Sequence, residues 1–106
     1  MTKTVVVTIG DATLYLGDCR EILPTLGEVD AVVTDPPYGI GFEYESYDDS
    51  FENWLSLVPP VIRSAKTMAR FVVSSCCTID RLDWWYRELR PDWLIAWHLF
   101  VLTVLW

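Results

Sequence analysis

The residues with the most chemical potential in this chain are the consecutive Asp35-Pro36-Pro37-Tyr38. A carboxylate, a proline pair and an aromatic ring follow directly on Val29–Thr34, an apolar run whose only charge is Asp30. Such a set could activate an exocyclic amine on a heteroaromatic base. The lone pair of that amine is delocalised into the ring, so the nitrogen is a poor nucleophile. Two acceptors placed on its N–H bonds favour a pyramidal nitrogen and free the lone pair to attack a methyl group. Asp35 can be one acceptor and the Pro36 carbonyl the other. Proline has no N–H and a fixed φ, so this backbone offers its acceptor in a preset geometry, which Pro37 stiffens further. The Tyr38 ring can stack on a base flipped out of its duplex. A negative Asp35 would also sit well beside a cationic methyl donor in a dry site.

The competing structural reading is a strand closed by a stiff turn, with Asp35 on the surface and Tyr38 as packing. At average residue usage this tetrapeptide arises in a chain this long on the order of once in a few thousand sequences. Its position after a buried strand lowers that further, and ligands of open α/β sheets bind at the carboxyl ends of strands. The chemical reading is therefore preferred.

The elements that must position these residues follow from pattern. Residues 4–9 and 13–16 read as strands around Gly10-Asp11 turn chemistry, an N-terminal hairpin. Asp18 can cap a short helix, with Glu21 completing a capping-box-like pair. Ile22, Leu23 and Leu26 should face inward, Pro24 should shorten that helix and Gly27 end it. Val29–Thr34 reads as a buried strand that the two prolines terminate. Gly39-Ile40-Gly41 is a flexible loop start, and Glu43, Glu45, Asp48 and Asp49 form a solvated acidic face. Ser50 can cap a helix with apolar positions Phe51, Trp54, Leu55, Val58, Val61, Ile62, Ala65 and Met68; Pro59-Pro60 should break it into two pieces. Residues 71–74 form the next strand. Thr78 opens a helix with Ile79, Leu82, Tyr86 and Leu89 on one face, and residues 93–97 form a further strand. Strands alternating with helices give an α/β class with a mostly parallel sheet, flanking helices and the N-terminal hairpin. Trp84, Trp85, Trp93 and Trp97 are expected in the core. Cys76 and Cys77 are read as small buried hydrophobes, and His98 has no partner at metal or triad spacing.

Bulk properties bound what this can do. A chain of 106 residues is one small domain at most, and 52% hydrophobic with 22% charged residues is a globular composition. The net charge is −7 and the sequence pI 4.4. A nucleic-acid-binding protein usually carries a basic face, so this chain cannot supply such a footprint alone. The cysteines number 3 and form no CxxC pair, which indicates neither a zinc site nor a disulfide framework. A reduced, cytoplasmic setting fits best. The N-terminus has no signal-peptide pattern. The apolar run over 94–106 is interrupted by His98 and is shorter than the roughly 20 residues a membrane span needs.

Asp35-Pro36-Pro37-Tyr38 resembles motif IV of the amino-directed DNA methyltransferases. Leu14-Tyr15-Leu16-Gly17-Asp18-Cys19-Arg20-Glu21-Ile22-Leu23 resembles the segment that precedes that motif in the family. Taken together the resemblance runs from about Ala12 to Trp97. It implies a partial Rossmann-like fold dependent on S-adenosylmethionine, and methyl transfer to N6 of adenine in DNA; Asp in first position is more typical of N6-adenine enzymes and Ser of N4-cytosine enzymes. It implies Asp35, Pro36, Pro37 and Tyr38 as catalytic residues, with Asp18 and Asp35 at the cofactor. Asp18 then has two compatible readings, as helix cap and as a contact to the adenine or ribose of S-adenosylmethionine. The family also carries a Phe-x-Gly-x-Gly motif at the methionine part of the cofactor, and no such sequence occurs here. Related sequences turn polar and basic after Trp97-His98, whereas 99–106 is nearly all apolar. The expectation is therefore a partial catalytic domain over 1–98 with a divergent apolar tail over 99–106. On this reading the chain is a truncated or frameshifted piece, inactive alone, that meets DNA only through the full-length enzyme. The alternative is a non-catalytic or split α/β module that self-associates or binds a partner chain through sheet edges and the apolar tail. A methyltransferase acting on RNA or on protein amides is a third reading; the protein-glutamine enzymes favour Asn in first position, so Asp35 argues mildly against that branch of it.

Overall fold

The computed structural model describes residues 4–76, 79–96 and 102–105; Cys77, Thr78, Trp97, His98 and residues 99–101 of the tail lie outside them, with the expectations placed on them. The chain opens with the expected hairpin, β1 (Val5–Ile9) against β2 (Ala12–Leu16), with Ile9 opposite Ala12. Gly10 takes φ +58 at the turn, a conformation glycine adopts without a Cβ penalty. Every strand residue of this hairpin is exposed, and it forms a two-stranded sheet of its own.

Asp18 caps α1 (Cys19–Ile22) by accepting from the Arg20 N–H at 2.9 Å. A 3₁₀ turn over Leu23–Thr25, with Pro24 inside it, ends the helix as the proline requires. Ile22 is buried and Leu23 and Leu26 are half-buried. Strand β3 (Val29–Thr34) has the bounds read from the sequence.

Helix α2 (Phe51–Met68) begins at Ser50, whose hydroxyl accepts from the Asn53 N–H at 3.3 Å. It contains both Pro59 and Pro60 and runs through them, so the expected break into two pieces does not occur. The physical reason is packing. Trp54 and Val58 before the prolines, and Ile62 and Ala65 after them, lie buried along one stripe. Splitting the helix would lift one half of that stripe from its seat. The carbonyls of Leu55 and Ser56, which lose their helical partners to the prolines, belong to exposed residues that water can reach.

Strand β4 (Ala69–Cys76) follows and pairs with β3 in parallel, from Val29 opposite Ala69 to Thr34 opposite Ser74. Helix α3 (Ile79–Glu88) leads to β5 (Trp93–Ala96), and β6 (Leu102–Leu105) pairs antiparallel with both β4 and β5. The sheet order is β3-β4-β6-β5. The class is α/β. The sheet is mixed, because residues 102–105 of the presumed tail insert between β4 and β5 as an antiparallel strand. Among the described residues no helix is long and apolar enough to cross a membrane.

The core joins α2 to α3 through Trp54, Val58, Ile62, Trp85 and Leu89. Trp54 meets Trp84 edge-on at 5.0 Å, Trp85 at 5.9 Å and Phe51 in a stack at 5.8 Å. The core-facing side of α3 is thus Trp85 and Leu89, both buried, with Leu82 partly buried beside them, and Tyr86 is 53% exposed, against expectation. Trp85 has the larger apolar area, and it shares a helical face with positions 82 and 89, which leaves Tyr86 at the margin. Trp93 is also exposed, at 71%, rather than in the core. In the sheet, Val72 and Ser74 are buried toward the helices while Val33 and Phe71 point away, 77% and 53% exposed. One face of the β3–β4 pair is covered and the other is bare.

Replacing the exposed Pro60 by Ala returns an N–H to α2 and removes a ring from its interior. Pro60→Ala should therefore raise the unfolding free energy by about 1–2 kcal/mol, the helical gain being partly offset by a freer unfolded chain. Denaturant melts would check this; a lower stability would mean that the proline shapes the helix for its seat.

Candidate active site

The parallel register dictates what meets Asp35. Thr34 lies opposite Ser74, so Asp35, just past the end of β3, comes beside Ser75, still within β4. The Ser75 hydroxyl donates to Asp35 Oδ1, and the Tyr38 hydroxyl donates to the same oxygen at 2.8 Å. The two hydroxyls lie 3.4 Å apart. Both of these bonds converge on Oδ1, and among the described residues Oδ2 accepts none. The Tyr38 ring packs against the Trp54 core, so one of its ends is held by apolar contact and the other by a carboxylate. Pro36 and Pro37 are half-buried. A cavity of about 160 Å³ opens here, lined by Asp35, Pro36, Tyr38, Ile40, Phe42 and Tyr44. The structure thus brings three of the four motif residues to one cavity, and Pro37 does not line it.

The loop after the motif is built around Asp49. Its carboxylate is 1% exposed and accepts from the N–H groups of Gly39 at 2.8 Å, Ile40 at 3.1 Å and Phe42 at 3.1 Å, while its carbonyl accepts from Gly41 at 2.9 Å. Asp49 is therefore no part of a solvated face, although Glu43, Glu45 and Asp48 are exposed. Successive N–H groups converging on an anion require positive φ at some positions, and Gly39 and Gly41 supply +67 and +78. At Gly39 a side chain is excluded twice over, because a Cβ there would lie 2.9 Å from the Trp54 Cβ. The pair is a fixed turn rather than a flexible loop start.

Asp18 sits elsewhere. It lines a cavity of about 940 Å³ with Gly17, Arg20, Tyr47, Asn53 and Leu57 among its walls, and Asp35 does not reach that cavity. The Arg20 guanidinium straddles the Asp18 carboxylate, Nε at 3.0 and 3.1 Å from its two oxygens and Nη2 at 2.5 Å from Oδ2. Hydrogen bonds from Arg20 hold the Asp18 carboxyl down to about 2, from an ordinary 3.8. In the same wall the Tyr47 hydroxyl is buried and has no hydrogen-bond partner among the described residues. Burial, then Asp49 and Asp48, push its pKa above the usual tyrosine value, so it remains a donor.

These residues fit S-adenosylmethionine incompletely. Both Asp18 oxygens are committed to Arg20, and the N–H groups of Gly39, Ile40 and Gly41, which could have cradled an anionic group, are spent on Asp49. Asp18 is a helix cap here, and a ribose hydroxyl would have to share its oxygens with Arg20.

Ser75, Asp49, Phe42 and Tyr44 are site residues that pattern reading passes over. Two positive-φ glycines, ten and eight residues before Asp49, are the available signal for it, and the register of two parallel strands is the signal for Ser75.

Removing the Asp49 carboxylate strands the N–H groups it serves. Asp49→Ala should cost about 2–5 kcal/mol in unfolding free energy, with the 39–42 amides losing hydrogen-exchange protection first. For Asp18 the folded-state pKa is depressed, so its stabilisation is present above about 3.8 and is lost as pH falls through about 2. Carbon-detected titration should find this midpoint near 2, and Arg20→Ala should return it toward 3.8. A midpoint that ignores Arg20 would refute the pairing. Compared with protein-family models, with curated proteins and with solved structures, the chain finds no match in any of the three.

Proposed function

We propose that this chain is the catalytic-motif portion of an S-adenosylmethionine-dependent DNA methyltransferase that modifies N6 of adenine. The observation that carries the reading is Asp35 itself. Its Oδ1 is held by Ser75 and Tyr38, its Oδ2 accepts no bond among the described residues, and Asp35 and Pro36 line an aromatic cavity together. A base entering that cavity presents its amine to Oδ2 and to the Pro36 carbonyl. Those two acceptors draw the N–H bonds out of the ring plane and localise the lone pair. Pro37 keeps the carbonyl from turning away, and the Tyr38 ring forms one wall of the base site. On this reading the β3-α2-β4 unit is a piece of a Rossmann-like sheet, with the site at the carboxyl ends of its parallel strands.

Methyl transfer is not assigned to this chain alone. Phe-x-Gly-x-Gly is missing from the sequence, and the donor set around Asp18 fits the cofactor incompletely. The net charge of −7 likewise leaves DNA binding to basic segments of a full-length enzyme. A second reading, a non-catalytic or split module that binds a partner chain or itself, is favoured by the bare sheet face at Val33 and Phe71 and by the outer edge of β3. Size-exclusion chromatography separates the two: a clean monomer at high concentration counts against a sticky interface.

The test of amine recognition uses a pair of neutral nucleosides followed by ligand-detected NMR. Adenosine offers an exocyclic amine to Asp35, and inosine offers a carbonyl in its place. Adenosine should bind in preference to inosine, and Asp35→Asn should erase that preference without lowering the melting temperature. Equal binding of the two by the unmodified chain would overturn the reading. Calorimetry with S-adenosylmethionine at millimolar concentration should give no saturable heat; a micromolar isotherm weakened by Asp18→Ala would show the cofactor site to be complete.

A further inference from the structure

The loop that Asp49 pins carries two aromatic rings that no part of the fold consumes. Phe42 is 60% exposed and Tyr44 is 46% exposed, yet they pack on each other with centroids 4.9 Å apart at 56°. Both line the cavity that Asp35 and Pro36 open into. Tyr44 is buttressed in turn by Tyr47, edge-on at 5.8 Å. The backbone beneath them is fixed, since the Phe42 N–H donates to the buried Asp49 carboxylate. Exposed large aromatics held rigidly beside a polar pocket are poor packing and good recognition, because stacking then incurs little ordering cost.

Tyr38 is the ring to which the motif would give all the stacking. Its hydroxyl is bonded to Asp35 and its ring is seated on the Trp54 core, so it cannot turn to follow a base. Phe42 and Tyr44 have the accessible π-faces. We propose that they form the second wall of the base site and are substrate-gripping residues for a planar heteroaromatic base. They act by stacking alone, so they bind any purine, and Asp35 chooses among purines by the amine. This rests on the reading of Asp35 as the amine acceptor.

The two halves of that division are separable in the nucleoside titration. Phe42→Ala and Tyr44→Ala should each weaken adenosine and inosine alike, by about ten-fold, the loss typical of one stacked ring. The conservative Phe42→Tyr and Tyr44→Phe should bind as the unmodified chain does. Both positions are exposed, so the melting temperatures should not move. Asp35→Asn should weaken adenosine and leave inosine no weaker, because the amide NH2 would take the place of Oδ2 and could donate to the inosine carbonyl. If the unmodified chain prefers adenosine and the alanine variants bind as it does, the second wall is refuted while the amine reading stands. If the unmodified chain binds both nucleosides equally and the alanine variants lose both, the wall stands and the amine reading falls. Binding of neither nucleoside overturns both.

Discussion

The arrangement of this chain around its chemical motif depends on one buried carboxylate. Asp49 immediately precedes the Ser50 cap of α2, and it accepts from the backbone just beyond Tyr38. Desolvating a carboxylate is expensive, and the interaction survives because charge-assisted bonds from N–H groups replace its water. The result is a closed circuit: strand β3 sets the motif, the motif leads into the glycine turn, and the turn is clasped by the first residues before the helix. Trp54, one turn into that helix, packs so close to Gly39 that the circuit closes without a gap. Asp35 is thereby located from both sides, by the sheet before it and by the clasp after it.

Much of this was legible in the amino-acid order. The bounds of β3, the Ser50 cap and the Asp18 cap follow from local chemistry, and local chemistry governs them in the fold. Reading failed where a long-range contact overrode a local preference. Pro59 and Pro60 break helices in isolation, and here they sit within a stripe whose burial on α3 holds the helix together. Tyr86 and Trp85 are neighbours, so periodicity alone could not say which faces inward. Asp49 looks like any loop acid until the backbone it serves is folded around it. Ser75 enters the site through strand register, which no spacing within one segment encodes. The motif itself is legible in the sequence because its four residues are contiguous, and its partners are not, because they are dispersed along the chain.

The same geometry divides labour within a single side chain. A carboxylate with both oxygens free would rotate, and its lone pairs would sweep a broad arc. Two hydroxyls on Oδ1 fix the plane of the Asp35 carboxylate and so fix the direction in which Oδ2 looks. Asp18 is the contrasting case, with both oxygens engaged by one guanidinium. These two aspartates, each following a strand, differ in what they can still accept, and that difference assigns them different tasks.

The bare face of the β3–β4 pair has a consequence beyond recognition. Val33 and Phe71 stand in water on a sheet whose other side is closed by helices, so the hydrophobic drive for folding comes from one side only. A layer structure missing a layer has less apolar burial to set against chain entropy, which raises its unfolded fraction. Chaperones and proteases act on that fraction continuously. Apolar surface laid over that face would shift the balance toward the folded form and so slow clearance.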